Sequence, residues 1–370
     1  MKIEAAVLRG MGAAAPYSIS RPLGIETLEL APPQPGEALV KILAAGLCHS
    51  DLSVINGDRP RPMPMALGHE ACVEIVECAD SDWPAGQRAV LTFVPSCGEC
   101  QPCADGRPAL CEPAAAANTA GTLLGGGVRL SDGHGGVNHH LGCSAFATHA
   151  VVSTQSLVAV PNDLAPQIAA LFGCAVLTGV GAVTNTAGVR AGQSVAVVGL
   201  GGVGLAAVLG ALELGAHPVI AVDLSTEKLG LAAQLGAIPV AASETCVEEI
   251  RAASGNGVDV AIECAGAVAA FDTAYRVTKR GGTTVSAGLA NPAARWELSP
   301  VQLVAEERTI KGSYLGGAVP RRDIPRYIEL YRAGRLPVDR LLDRTIGLGD
   351  INEAMDELAA GRAVRQVVLL

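Results

Sequence analysis

The run VAVVGLGGVGLAAVLGA, Val195 to Ala211, constrains the fold more than any other stretch of this chain. Gly199, Gly201, Gly202 and Gly204 fit the spacing G-x-G-x-x-G. Alone that spacing says little. Here it follows an apolar run, Val195–Val198, that reads as a buried strand, and it opens a helix expected over Leu205–Leu214. A second apolar run, PVIAVDL, ends on Asp223, 19 residues beyond Gly204. Strand, glycine turn, helix, strand and acid together predict a Rossmann-type α/β unit. Gly199 permits the tight turn, Gly201 lets the backbone approach a pyrophosphate, and Gly204 lets helix and strand pack closely. The helix N-terminus offers free N–H groups to phosphate, and Asp223 can accept from an adenosine ribose. That acid repels a 2′-phosphate, and Leu224 and Ser225 supply no arginine to bind one, so NAD is favoured over NADP.

The same rhythm extends on both sides. From about Leu171 short apolar runs alternate with helical periodicity, through STEKLGLAAQLGA, GVDVAIECAG and GGTTVSAGL, as in a parallel sheet. Before that, EALVKILAAG and FATHAVVS read as short strands broken by Pro and Gly. The tract Ala114–Gly136 reads as a long loop, and RQVVLL at the end as a strand. A chain of 370 residues is long for one core, so two domains are expected. With 49% hydrophobic and 17% charged residues it has a folding composition. A net charge of −9 with no Lys/Arg cluster argues against nucleic acid. The span Val195–Val222 is apolar enough to suggest a membrane helix, but its glycines, Glu213, His217 and Pro218 favour the strand–turn–helix–strand reading. The N-terminus MKIEAAVLRG carries Glu4 and Arg9 where a signal peptide needs an apolar core. Eleven cysteines, an odd number, suit thiolates used as ligands in a reducing cytoplasm.

The cysteines fall into two kinds of pattern. CGECQPCADGRPALC places Cys97, Cys100, Cys103 and Cys111 at spacings x2, x2 and x7. Four thiolates in so short a segment suit a closed tetrahedral zinc site with a structural role. An iron–sulfur cluster is the rival, though that run normally continues C-x3-C-P. The second pattern is dispersed: Cys48 in AGLCHSDL, His69 and Glu70 in LGHE, and Cys174 in LFGCAVLTGVGAV. Two cysteines and one histidine leave a fourth position open, as catalytic zinc requires, and the ion lowers the pKa of a bound alcohol.

In order along the chain, GLCHSD, LGHE, the cysteine lobe, GCAVLTGVGAV and GLGGVG…VD resemble the zinc-dependent alcohol dehydrogenases of the medium-chain dehydrogenase/reductase superfamily. The resemblance covers nearly the whole chain. It is strongest toward the longer-chain class I and III, aryl-alcohol and thiol-dependent formaldehyde dehydrogenase branches. It implies a GroES-like β-rich catalytic domain over residues 1–177, with a zinc lobe at about 95–113. A Rossmann NAD-binding domain then spans 178–316, and residues 317–370 return to the first domain. It implies Cys48, His69 and Cys174 as catalytic zinc ligands, with Glu70 close by. Asp51 then orients His69, and Ser50 hydrogen-bonds the substrate oxygen. Thr178 and Val203 lie against the nicotinamide, Asp223 and Lys228 meet the adenosine ribose, and His49 and Arg365 meet the pyrophosphate. Phe93, His140 and Leu141 line a moderately apolar substrate cleft.

The activity implied by this resemblance is a reversible, NAD-linked oxidation of primary aliphatic or aromatic alcohols to aldehydes, with one catalytic and one structural zinc per chain. The expected partners are a small alcohol or aldehyde and a second copy of the chain, as a homodimer or a tetramer, with neither nucleic acid nor membrane. Two rivals stand beside it: a formaldehyde dehydrogenase using a glutathione or mycothiol adduct, and a non-catalytic member that uses zinc only to fold. Glutathione adducts are anionic, and after Cys111 no basic residue appears until Arg129. Three positions depart from the family pattern. Val73 stands where a glycine is usual, Ser53 replaces a histidine that ends the proton relay, and His140 replaces an aromatic pocket residue. His140 makes the pocket more polar, or is a core or surface histidine.

Overall fold

A computed structural model describes residues 1–370. The chain forms two compact units: residues 1–174, 319–326 and 342–370, and residues 175–318 and 327–341.

The first unit is built from antiparallel strands. Lys2–Leu8, Leu23–Leu30, Met65–Ala66, Leu130–Ser131 and Gly136–His139 close into a small barrel. Its inward side chains, among them Ile3, Leu28, Leu30, Leu130 and Val137, form one apolar cluster. A seven-stranded sheet lies around Glu37–Gly46, which pairs with Ala71–Cys78, His149–Ser153 and the C-terminal strand Gln366–Leu369. The strand expected in RQVVLL is that last one. Val73 is buried in Ala71–Cys78 opposite Ile42, where a β-branched side chain packs well on a pleated surface. The Ala114–Gly136 tract is not a long loop: Glu112–Ala120 is helical, ending on Gly121 at φ +71°. Alanine is the best helix former, and a left-handed glycine is a common helix stop.

The second unit is a doubly wound sheet of six parallel strands. Their order is Ile238–Ala241, Val219–Asp223, Val195–Val198, Val258–Glu263, Thr278–Ser286, Thr309–Gly312. The order reverses direction beside Val195–Val198, the switch point at which such sheets bind ligands. Helix Gly202–Glu213 is buried along nearly its whole length, which is why its sequence is apolar all round rather than amphipathic.

Residues 327–341 join this second unit rather than the returning segment expected from the sequence. The hydroxyls of Tyr327 and Thr184 lie 3.2 Å apart, and Arg335 and Arg340 reach Glu213 and Gln234. No single helix in the chain is long and apolar enough to cross a membrane.

Candidate metal centres and dinucleotide turn

Cys48 ends a strand-like stretch in extended conformation, and helix His49–Ile55 starts immediately after it. That corner separates four chemistries in four consecutive residues. Cys48 turns inward and Asp51 is fully buried, while His49 is exposed and Ser50 half-buried. His69 arrives from the other side. Gly68 before it has φ +91°, and a side chain there would collide with the Phe146 backbone, so only glycine delivers the histidine. Cys174 closes the set from the end of the short helical segment Ala170–Gly173.

Candidate ligand atoms of Cys48, His69, Glu70 and Cys174 all lie within 4.8 Å of one another, and all four residues are buried. Asp51 Oδ1 accepts from the Gly68 N–H at 3.0 Å and lies 3.2 Å from His69 Nδ1. A carboxylate can only accept, so Nδ1 carries the proton. His69 Nε2 is left bare, buried and without a partner. A buried lone pair with nothing to bind is costly; a cation between it and the two sulfurs removes that cost. Two sulfurs and an imidazole nitrogen are a donor set that suits zinc, with the Glu70 carboxylate near enough to join it.

Burial alone would lower the His69 ring, but the Asp51 carboxylate and the Cys48 sulfur outweigh it and hold it well above its usual pKa, so the site favours a positive charge at Nε2, a proton when empty and a metal ion in its place. A hydrogen bond shared with Cys174 holds the Cys48 thiol well below its usual pKa against the opposing effect of burial, and His69 adds to it. The same shared bond, with burial, pushes Cys174 up. Burial alone would raise the Asp51 carboxyl, but the His69 and His140 rings outweigh it and hold it below the usual range. Burial pushes Glu70 up to about 7, against the pull of Arg365. Glu70 Oε2 accepts from Arg365 at 2.7 Å, while Oε1 has no partner. A Cβ on Gly46 would stand 2.7 Å from that free oxygen, so glycine leaves room for the carboxylate.

The cysteine lobe is built differently. Cys97, Cys100, Cys103 and Cys111 bring their sulfurs within 4.8 Å of one another, but only Cys111 is buried. Backbone N–H groups of Glu99 and Cys100 donate to Cys97 Sγ, and that of Cys97 donates to Cys111 Sγ. Amides from Cys100 and Glu99 lower the Cys97 thiol to about 7. Four sulfurs, each from the protein and three with partial exposure, fit a closed structural zinc site.

In the second unit Gly199 has φ +94°, and a Cβ on Gly204 would run into the Gly199 carbonyl. Both glycines are therefore obligatory for the turn. Asp223 accepts from the Leu200 N–H at 2.6 Å and the Ser225 N–H at 2.8 Å, so it braces the glycine turn. Thr178, Val203 and Lys228 belong to this unit, with Lys228 on the first turn of helix Thr226–Leu235.

Other expected residues land in informative places. The Phe93 and His140 rings each stand edge-on to His69 at 5.4 Å. His140 is buried, its Nδ1 3.0 Å from Asp51 Oδ1 but not aligned to donate to it, so it is a histidine of the site's interior wall. Leu141 comes next with φ +52°. Ser50 Oγ lies 3.8 Å from Cys48 Sγ. Arg365 is buried, with two guanidinium nitrogens committed to Leu47 O and Glu70; only Nε lacks a partner. Ser53 donates to the His49 carbonyl one turn back. Sequence reasoning missed three features: the Glu70–Arg365 pair, the approach of His140 to Asp51, and the half-buried Arg61. Each joins residues far apart in sequence or lies outside any motif.

Two family models match the chain: the alcohol dehydrogenase GroES-like domain over residues 34–162 and the zinc-binding dehydrogenase over residues 202–333. An S-(hydroxymethyl)glutathione dehydrogenase of Synechocystis sp. is 35% identical over 96% of this chain and 98% of its own. An NDMA-dependent alcohol dehydrogenase of Amycolatopsis methanolica is 37% identical over 100% and 99%. Among solved structures, a zinc-binding domain alcohol dehydrogenase protein from Burkholderia ambifaria superposes with TM-score 0.93 at 33% identity, covering 100% and 99%. Benzyl alcohol dehydrogenase from Acinetobacter calcoaceticus gives 0.92 at 30%, with the same coverage. The two thiol clusters and the Rossmann unit fit zinc and NAD as cofactors. The chain belongs to the zinc-dependent alcohol dehydrogenases of the medium-chain dehydrogenase/reductase superfamily, oxidoreductases that act on alcohols.

Proposed function

We propose that this enzyme is an NAD-dependent dehydrogenase of primary alcohols, aliphatic or aromatic, working reversibly with the aldehyde. The observation that carries it is the bare Nε2 of His69, facing two thiols with its tautomer fixed by Asp51. Cys48, His69 and Cys174 would hold a zinc that, when bound, acidifies an alcohol and polarises a carbonyl. Ser50, on the first turn of helix His49–Ile55, hydrogen-bonds the substrate hydroxyl and would relay its proton, giving its own hydroxyl proton onward to the nucleotide side as it accepts the substrate's. Ser53 is no base at the far end, because its hydroxyl is committed to a backbone carbonyl. Phe93, His140 and Leu141 shape the pocket wall. Glycines 199, 201, 202 and 204, with Val203, receive the dinucleotide. Thr178 meets the nicotinamide, Asp223 and Lys228 the adenosine ribose, and His49 and Arg365 Nε the pyrophosphate.

A panel of primary alcohols with NAD, monitored by NADH absorbance, tests this reading; no turnover with any of them by the zinc-loaded protein would end it. A second reading, a thiol-dependent formaldehyde dehydrogenase, is favoured by the Synechocystis relative. Formaldehyde assayed with and without glutathione or mycothiol separates the two. We also place the enzyme in a reducing cytoplasm, supported by eleven unpaired cysteines.

A homodimer is supported by the edge strand Thr309–Gly312, exposed throughout, beside the exposed Val301 and Val304 of helix Pro300–Ala305. Sedimentation of the Ile310→Asp variant should give a monomer, whereas an unchanged mass would remove this interface.

A further inference from the structure

Strand Val258–Glu263 lies beside Val195–Val198 at the switch point, and Glu263 is its last residue, level with Val198. The next residue keeps that contact: the Cys264 N–H donates to the Val198 carbonyl at 2.8 Å. The loop that follows packs on the glycine turn. A Cβ on Gly199 would stand 2.7 Å from Ala265, and one on Gly204 would stand 3.4 Å from Cys264. Glu263 is therefore at the root of the loop that borders the turn.

Glu263 is only 2% exposed. Its carboxylate is held by donors: the Gly266 N–H meets Oε1, and the Ser286 hydroxyl meets Oε2 at 3.0 Å. A Cβ on Gly288 would stand 2.8 Å from both oxygens, so glycine there leaves the carboxylate its room. Burial raises its pKa, and the donors oppose that. Every other buried carboxylate of the chain has a cation or an imidazole at hand: Glu37 has Arg129, Asp51 has His69, Glu70 has Arg365 and Asp323 has Arg322. Glu263 has neither. A buried charge with no counterion is costly, and it marks where a positive charge is missing.

The oxidised nucleotide brings that charge. A dinucleotide lies across the two halves of such a sheet, one mononucleotide on each side of the switch point. In the reading above, Asp223 takes the adenosine ribose at the end of Val219–Asp223, on one side of the glycine turn. Glu263 and Ser286 end the strands on the other side, which then receives the nicotinamide. That ring carries one positive charge in NAD⁺ and none in NADH, while the rest of the two molecules bears the same charge.

We propose that Glu263 determines which oxidation state of the nucleotide the enzyme prefers: its unpaired carboxylate draws the positive ring of NAD⁺ and not the neutral ring of NADH. The enzyme thereby favours the form that alcohol oxidation consumes. The inference rests on the NAD-dependent reading above. Glu263 needs no contact with the reacting atoms, because its charge acts through the interior, where salt and water screen it little.

The test is a ratio, Kd for NAD⁺ over Kd for NADH, on the zinc-loaded protein at mildly alkaline pH. NADH binding is followed by its fluorescence, and NAD⁺ by displacement of NADH. Both values come from one preparation, so a changed folded fraction cancels. Removing the charge should raise the ratio by about five- to twentyfold, the effect of two unit charges roughly two or three strand spacings apart at a protein-like dielectric. The neutral change is made as Glu263→Gln and as Glu263→Thr, because the Gln amide sets a donor against the Gly266 N–H whereas a Thr hydroxyl can turn. Glu263→Asp keeps the charge while disturbing the hydrogen bonds, and its ratio should stay near the wild-type value. A loop merely held in place by Glu263 would weaken both nucleotides alike and leave the ratio where it was. An unchanged ratio in the neutral variants, or the same shift in Glu263→Asp as in Glu263→Gln, overturns the proposal and leaves NAD use intact. A wild type that binds neither nucleotide removes the NAD reading and the proposal with it.

Discussion

The two cysteine clusters use the same element in opposite ways. Cys97, Cys100, Cys103 and Cys111 come from one 15-residue segment, sit largely at the surface, and surround a point on all sides with sulfur. Cys48, His69 and Cys174 come from segments up to 126 residues apart and are buried, with the Glu70 carboxylate as a fourth candidate donor beside them. The local cluster needs little support beyond backbone amides aimed at its sulfurs. The dispersed one needs the whole first unit: Asp51 to set a tautomer, Gly68 to deliver His69, and Arg365 to accompany the buried Glu70. Ligands close in sequence can build their site almost by themselves. Ligands far apart inherit theirs from the fold, which can then leave one position free for chemistry.

If that contrast is right, ligand loss should act on different quantities in the two places. The largest effect is expected for Cys48→Ser. Its kcat/KM should fall by about a thousandfold or more, several kcal/mol of lost transition-state stabilisation, with little change in melting temperature. Asp51→Asn comes next. It keeps the shape but donates where a charge accepted, so zinc affinity at the buried site should drop by about ten- to a hundredfold, read by competition with a chelator. Cys103→Ser should instead lower the melting temperature by several degrees, roughly a few kcal/mol at this chain length, while turnover per catalytic zinc holds. Equal melting losses in Cys48→Ser and Cys103→Ser would erase the distinction.

The smallest effect concerns a buried histidine outside both clusters. The Arg129 N–H donates to His139 Nε2 at 3.0 Å, so Nδ1 carries the proton toward Ser144 Oγ, 3.1 Å away. Burial pushes this histidine down to about 3. The unfolded chain, with an ordinary histidine near 6.5, binds a proton that the folded one refuses. Stability from this group is therefore complete above about pH 6.5 and drains away as pH falls toward 3. His139→Gln should flatten the melting temperature against pH between 6.5 and 4.5; an unchanged slope would deny the shift.

Much of the fold and site is legible in the sequence, for a physical reason. The cysteine lobe and glycine turn are written in spacing, because contiguous backbone makes them. Apolar runs such as VAVV and VIAVD announce strands buried on both faces, since no polar face interrupts them. The Ala-rich stretch after Cys111 is harder. Its composition suits helix and flexible tract alike, and packing of Ala114 and Ala117 decides for helix. Residues 327–341 join the second unit against expectation because single side chains, Tyr327 and Arg335 among them, fix their partner. His140 beside Asp51 and Arg365 beside Glu70 lie 89 and 295 residues apart, and no local pattern carries such pairs.

Cys174→Ser bears on the division of labour most directly, when zinc content, melting and turnover are measured on one preparation. One zinc per chain, a near-native melt and no NADH formation are expected, because the lobe keeps its metal and the buried site loses its own. Full turnover with one zinc per chain, or loss of both zincs together, would contradict two independent sites of which only the buried one does chemistry.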